Sequence, residues 1–538
     1  MIAVWLCVCA AQWDNDGLWY QSDAPRHAAT GLFWKDVVLA RPTNPLDFAY
    51  RYFARYPVIA PSVHPPGFYL LEGAAFGVFG PSPYVGKGLV LASALMAALF
   101  LTAWLQRWVS PEAGLAGPLF LTLPGIVVWS NTLVLNVPAL ALGLAALYYG
   151  RLALETPTGR RANAYAVAAA TLSTATILTY YTGAVVVAVW CAWAVAFYRD
   201  RLPWKRAVFW GAVGLALVLA ILAAAATWAP AQVLLSVYAP SRLLKLDAWT
   251  YYGKHLSELT GSHVIVLSVT GAIIGLRSPR WRRETTFALI WLGVVYVAFS
   301  VKRGREPRYL LPILPPLLSL AAIGVLVAVQ RLAALRRGHL GRWPVTVALA
   351  ALIAGQTWRV TQVRVPSVKG IRDVAEFLAR VAPDDAYFYD GDYAALFTFW
   401  VMAGDPGFQR RVALADKLLY TWAVDRTWRL AEFAASPEEV VEILTQRGGC
   451  RWVAVEVGNE GTRVSAARHL RTAVRGPAFE FVRSFGVSGA IVDRVDLYRL
   501  RGPIAAVEEV DMPFQVLGEG VRRRARPIDP ERRADRSP

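Results

Sequence analysis

Charge is scarce in this sequence: Asp, Glu, Lys and Arg make up 17% of 538 residues, against about a quarter in ordinary soluble domains. Hydrophobic residues reach 56%, and the two figures together exclude an ordinary soluble enzyme. Cysteine is nearly absent. Cys7, Cys9 and Cys191 lie in apolar segments and Cys450 stands alone, so neither a disulfide framework nor zinc-ligand spacing can be read. Thiol chemistry is therefore not the expected activity. Acidic residues are outnumbered, 38 against 56 Lys and Arg, for a net charge of +18. The basic residues fall in short runs between apolar stretches and not on one soluble face, so nucleic acid is not an expected partner.

What the sequence has instead is long apolar runs. Segments 85–106, 113–130, 166–182, 207–228 and 309–330 each approach the roughly 20 residues a helix needs to cross about 30 Å of hydrocarbon. The fold class is a polytopic α-helical membrane protein with about eleven spans, at 1–13, 85–106, 113–130, 133–150, 166–182, 184–198, 207–228, 262–276, 285–301, 309–330 and 344–361. The first is too short to cross and lacks the basic flank of a signal peptide, so Met1 reads as lying inside a longer first helix with an upstream start. Short arginine-rich connections, RLALETPTGRR, RDRLPWKR, RSPRWRR and RLAALRRGHLGR, mark the cytoplasmic side. Loops 14–63 and 229–261 then face outward, the N-terminus is cytoplasmic and the C-terminal domain extracytoplasmic in a cell membrane. Segment 65–80 is expected in the interface, because two prolines open it and Glu72 would be costly at the bilayer centre.

The composition changes near residue 362, which divides a transmembrane domain, 1–362, from a soluble one, 363–520. DVAEFLARV reads as a helix and AYFYDG as a strand; EEVVEILTQRGG and CRWVAVEVG repeat that order, and FEFVRSFGV and VDLYRLRG add strands. This is a small α/β domain. No glycine-rich phosphate loop follows any of its strands, and a binding or packing role is expected. Residues 521–538, RRRARPIDPERRADRSP after Val521, are charged, almost free of large apolar side chains and expected to be disordered.

Three stretches carry candidate chemistry. Loop 14–63 gathers Asp14, Asp16, Asp23, Arg26, His27, Lys35 and Asp36 beside the bilayer. A helix starting near Ser22 would hold Pro25 in its first turn and set Asp23 and His27 four apart on one face, a spacing suited to a base and its orienting group. The alternative is that Ser22 or Asp23 caps the helix and His27 packs. Asp14 and Asp16 make a weak DxD metal signal and an equally good turn. Next comes His64-Pro65-Pro66-Gly67, where the prolines fix the backbone around a histidine able to meet a phosphate, or simply lead into a helix. The third is KRGREPRYLLPILPPLL, with Lys302, Arg303, Arg305 and Arg308 on the outer side against the positive-inside trend. Cations so placed suit a lipid-linked phosphate, or headgroups without selectivity. Tyr180, Tyr181 and Thr182 end a span, where they line a cavity or anchor at the interface.

Together these three stretches resemble the GT-C membrane glycosyltransferases, in particular the polyprenyl-phosphate-sugar-dependent families related to protein mannosyltransferases and aminoarabinose transferases. The resemblance spans roughly residues 10–330. It rests on an acidic residue in the first outer loop, Asp23, on His64-Pro65-Pro66, and on Arg308-Tyr309-Leu310-Leu311-Pro312, the most distinctive of the three. One departure is Asn136 before Val137-Pro138, where the family often has a carboxylate. An asparagine cannot act as an ionised base or neutralise a divalent metal, so a metal cofactor is left open.

The resemblance implies transfer, with inversion, of a sugar from a polyprenyl-phosphate donor to an extracytoplasmic glycan, lipid or protein. Asp23 would be the base. His64, Lys302, Arg305 and Arg308 would hold the lipid phosphate, while His27, Asn136 and Tyr181 would line the acceptor side of the cavity. Two other classes remain, a polyprenyl-lipid transporter or flippase and an inactive membrane scaffold. The sequence has neither a strong internal repeat nor ionisable residues centred in its spans, which weighs against a transporter.

Overall fold

A computed structural model describes residues 2–13, 16, 23–61, 64–199, 245–302, 304–335, 343–423, 429–458, 464–489, 491–514 and 521–527. The expected span at 207–228, together with Asp14, Ser22 and Arg303, lies outside the described residues. The described chain forms two compact units. One takes in 2–13 and the described residues between 87 and 365; the other takes in 16, 23–61, 64–86 and the described residues from 366 onward.

The first unit is helical. Among the described residues of the chain, four helical segments are long and apolar enough to cross a membrane: Pro83–Trp108, Asn136–Glu155, Tyr181–Tyr198 and Pro307–Gln330. Two bent pairs pass together, Glu112–Leu121 with Pro124–Ser130 at 48° and Leu246–Thr260 with Ser262–Arg277 at 109°, which gives up to six spans where the sequence predicts about eleven. The protein is a multi-pass membrane protein. The predicted span 113–130 is broken because Pro124 lacks an N–H to continue the preceding helix, whereas it fits the first turn of the next. Part of the predicted loop 229–261 is the helix Leu246–Thr260. Arg160–Thr179, Arg282–Ser300 and Trp343–Thr361 are helices where spans are expected, and Ile2–Ala10 is a helix of only 9 residues.

Packing in this unit follows membrane rules, in which small residues let backbones approach. A side chain at Gly271 would collide with the Leu320 carbonyl and one at Gly324 with that of Leu267, so helices Ser262–Arg277 and Leu314–Leu335 meet backbone to backbone. Ser268 Oγ adds a hydrogen bond to the Leu317 carbonyl at 2.8 Å. Four other helices are tied at one end by Arg151, whose Nη1 and Nη2 donate to Glu284 at 2.6 and 2.5 Å and whose Nε donates to Glu155 at 2.9 Å. Trp108 Nε1 and the Tyr198 hydroxyl also donate to Glu155, both at 2.7 Å, and the guanidinium lies over the rings of Trp104, Trp108 and Trp193.

In the second unit, the α/β domain has the sheet order β2-β1-β5-β7-β6, with β1 at Ala386–Asp390, β2 at Arg411–Leu414, β5 at Trp452–Val457, β6 at Phe479–Gly486 and β7 at Arg494–Leu500. The β1 strand is parallel to β2 and β5, while β7 runs antiparallel to β5 and β6. Helix Ile371–Val381 buries Ile371, Val374, Ala375 and Leu378, the spacing of one helical face. The helix and strands read from the sequence between 371 and 500 are therefore present, whereas the hairpin of β3 (Tyr420–Ala423) and β4 (Arg429–Glu432) was not expected. Val521–Ala525, expected to be disordered, is a strand (β9) paired antiparallel with β8 at Val510–Phe514. Its ladder is backbone to backbone, so a run of arginines can form it without an apolar face.

The same unit holds the segment expected to carry catalysis. Asp23–Ala40, Pro45–Arg55 and Gly67–Phe79 are helices, the first with Pro25 in its opening turn as predicted. Asn44 caps the second by accepting from the N–H groups of Leu46 and Asp47 at 3.1 and 3.0 Å.

Candidate active site

Asp23 is the first residue of its helix and half-buried; His27, one turn on, is buried. The i, i+4 spacing is thus real, and a second helix gives it a partner. His27 Nδ1 and the Tyr69 hydroxyl share a hydrogen bond of 2.7 Å, and the His64 ring lies 5.3 Å from that of His27. The prolines after His64 lead directly into Gly67–Phe79, which is why Tyr69 arrives beside His27. Sequence reasoning found both histidines but missed Tyr69, whose available signal was its place one turn into a proline-initiated helix.

Glu72 lies one turn beyond Tyr69. It is 0% exposed, neither carboxylate oxygen has a hydrogen-bond partner among the described residues, and the side chain fills the space that a side chain at Gly31 would need. Burial alone holds its carboxyl well above the usual carboxylate range. The sequence placed Glu72 near the membrane surface; the structure seats it between two helices, away from solvent.

The other acidic candidates of the loop have structural work. Asp16 Oδ2 accepts the Arg372 N–H at 2.9 Å and caps helix Ile371–Val381, while burial pushes its carboxyl up. Asp36 Oδ2 accepts the Tyr52 hydroxyl at 2.9 Å and faces Lys35 at 3.5 Å. Among the described residues no three His, Cys, Asp or Glu side chains gather as a metal site.

In the first unit, the predicted cations come together around the turn Pro307–Ile313. Lys302 Nζ lies 3.2 Å from the centroid of Tyr309, Arg308 faces the rings of Trp129 and Tyr309 at 5.8 and 5.6 Å, and Phe299 stacks on Tyr309. Two carboxylates that the sequence reading did not weigh share the cluster. Arg308 Nη2 donates to Glu306 at 2.8 Å, and Arg305 Nη2 donates to Asp247 at 2.8 Å while facing the Tyr251 ring. Glu306 stands inside KRGREPRYLL and was in plain view; Asp247 comes from a helix 58 residues away and was not. Asn136 opens the helix Asn136–Glu155, which contacts both the Pro307–Ile313 turn and the turn Tyr181–Gly183 that holds Tyr181. Asn136, Tyr181 and the cations thus adjoin one helix, which carries the Arg151 cluster about 22 Å from Asn136 by helix rise.

No family model matches the sequence, and neither does any curated protein. Solved structures do match. ArnT from Cupriavidus metallidurans, in the apo state, superposes with a TM-score of 0.58 at 14% identity, over 92% of this chain and 97% of that one. The chain has the GT-C fold. ArnT bound to undecaprenyl phosphate gives a TM-score of 0.55 at 14% identity, covering 94% of this chain and 99% of that one. Arabinofuranosyltransferase AftD from Mycobacteria, mutant R1389S, gives 0.48 at 15% identity over 94% of this chain and 42% of its own. At these identities the GT-C likeness is one of fold, and it covers both units described above.

Proposed function

We propose that this GT-C protein is an integral-membrane glycosyltransferase that moves a sugar, with inversion, from a polyprenyl-phosphate donor to an extracytoplasmic acceptor. The observation that carries the reading is the match over 94% of the chain to a structure holding undecaprenyl phosphate. The reaction needs a base for the acceptor hydroxyl and cations for the departing lipid phosphate. Asp23 is the base, half-buried at a helix start where a carboxylate is favoured by the helix dipole. Its proton comes from the acceptor oxygen as that oxygen attacks the anomeric carbon, and the bond to phosphate breaks in the same step. His27, on the acceptor side, is held by Tyr69.

Lys302, Arg305 and Arg308 receive the phosphate. Glu306 and Asp247 hold Arg308 and Arg305 in place before donor arrives, so that little reorganisation accompanies charge build-up. The aromatic rings beside Lys302 and Arg308 keep these cations partly dry. The N-terminus is cytoplasmic and the α/β domain extracytoplasmic. Membranes containing the protein, supplied with a panel of polyprenyl-phosphate sugars, test the reading. Donor-dependent product is expected, with Arg308→Ala lowering both donor binding and turnover by about tenfold or more. Donor binding without transfer to any acceptor would move the weight to a flippase or scaffold.

A further inference from the structure

The helix that bears Asp23 and His27 belongs to the same compact unit as the α/β domain, and the join between them is built from buried side chains. In the turn 404–410 of the α/β domain, Asp405 accepts the Gln409 N–H at 2.9 Å through Oδ1 and the Arg410 N–H at 2.7 Å through Oδ2. The Tyr56 hydroxyl, from the end of helix Pro45–Arg55, donates to the same Oδ2 at 2.6 Å. Phe408, a non-glycine residue at a φ of +54°, sets its ring 5.7 Å from Tyr52 and 6.5 Å from Tyr56. A bulky residue keeps that backbone conformation only where its surroundings hold it there.

From Tyr52 the chain of contacts runs on to the helix Asp23–Ala40: its hydroxyl donates to Asp36 and its ring packs edge-on to Phe33 at 5.2 Å. Arg55 Nη1 adds a bond to the Arg410 carbonyl at 3.0 Å, and Asp16 ties the preceding segment to Val368 and Arg372. Burial and the facing carboxylates of Asp36 and Asp405 keep both phenols protonated, so each remains a donor.

We infer that the α/β domain is the mount of the catalytic loop, and that Tyr56, bonded to Asp405 and wedged by Phe408, is a positioning residue for Asp23 and His27. The inference rests on the glycosyltransferase reading for its activity readout, but not for its structural one. Tyr56 touches no reacting atom; it fixes the helix that does.

The test uses the full chain in lipid bilayers. Tyr56→Phe keeps the ring packing and removes only the bond to Asp405, so the fold survives. It is expected to lower kcat about tenfold, since a small misplacement of a base is costly, while the donor KM stays within about twofold. Amide hydrogen exchange across residues 23–40 is expected to accelerate about tenfold or more as the mount loosens. Arg499→Ala, which breaks an exposed pair with Glu480 elsewhere in the domain, is expected to change neither. Unaltered exchange across 23–40 in Tyr56→Phe overturns the inference, as does an unaltered kcat beside an active wild type. Should the wild type transfer no sugar from any donor, the functional reading fails, and the exchange measurement still decides whether Tyr56 holds the loop.

Discussion

Two buried acidic groups in this protein stand in opposite situations. Glu155 and Glu284, at one end of the helical bundle, meet Arg151, Trp108 and Tyr198 in a network in which the guanidinium is bonded through all three of its nitrogens and covered by three tryptophans. Glu72, between the helices Asp23–Ala40 and Gly67–Phe79, has no hydrogen-bond partner among the described residues. Glu284 and Glu72 are both buried and Glu155 is half-buried, yet only the first group is paired with a cation. A balanced cluster joining Pro83–Trp108, Asn136–Glu155, Ala184–Tyr198 and Arg282–Ser300 is what a structural clamp requires, because a charge in a dry place must be paired. An unbalanced group is tolerated where something other than stability keeps it, and it sits one turn from Tyr69 and His27.

The comparison can be broken most forcefully at the clamp. Arg151→Met leaves the buried Glu284 without its cation and is expected to cost about 3–5 kcal/mol, read as unfolding in detergent or bilayers. Adding Glu284→Gln should recover much of that loss, because the second charge is removed with the first. A single variant as stable as the wild type would mean that the network is ornamental.

Glu72 gives the smaller and opposite effect. Its folded form keeps a proton that the unfolded chain gives up near the ordinary glutamate value of about 4.3. The stability it supports is therefore complete below that value and declines as pH rises toward its raised one, by up to about 1.4 kcal/mol for each pH unit. Glu72→Gln, already neutral, should lack this slope while matching the wild type at low pH. Unfolding measured at about pH 5 and about pH 8 for both proteins checks it; equal slopes would show that Glu72 is ionised in the fold.

Which parts of this were legible beforehand follows from the range of each signal. Local patterns travelled well: the 3.6 period of Ile371, Val374, Ala375 and Leu378, the Pro25 helix start, and the two prolines that launch the helix holding Tyr69. The break before Pro124 was equally local, yet was read as one continuous span because apolar composition outweighed a single residue. Pairings across long stretches of sequence left no trace. Nothing near Arg305 announces Asp247, nothing near Tyr56 announces Asp405, and nothing near Gly31 announces that Glu72 will fill its notch. The β9 strand escaped for another reason: its composition is that of a disordered tail, and only its backbone partner makes it a strand.

The central claim is that a carboxylate at the start of helix Asp23–Ala40 removes the acceptor's proton. Its most direct test is Asp23→Asn in membranes supplied with a donor that the wild type uses, with turnover and donor binding measured side by side. The account predicts donor binding within about twofold of wild type and turnover lowered by at least about a thousandfold, as loss of the proposed base requires. Near-normal turnover by the variant would contradict it and take Asp23 out of the chemistry.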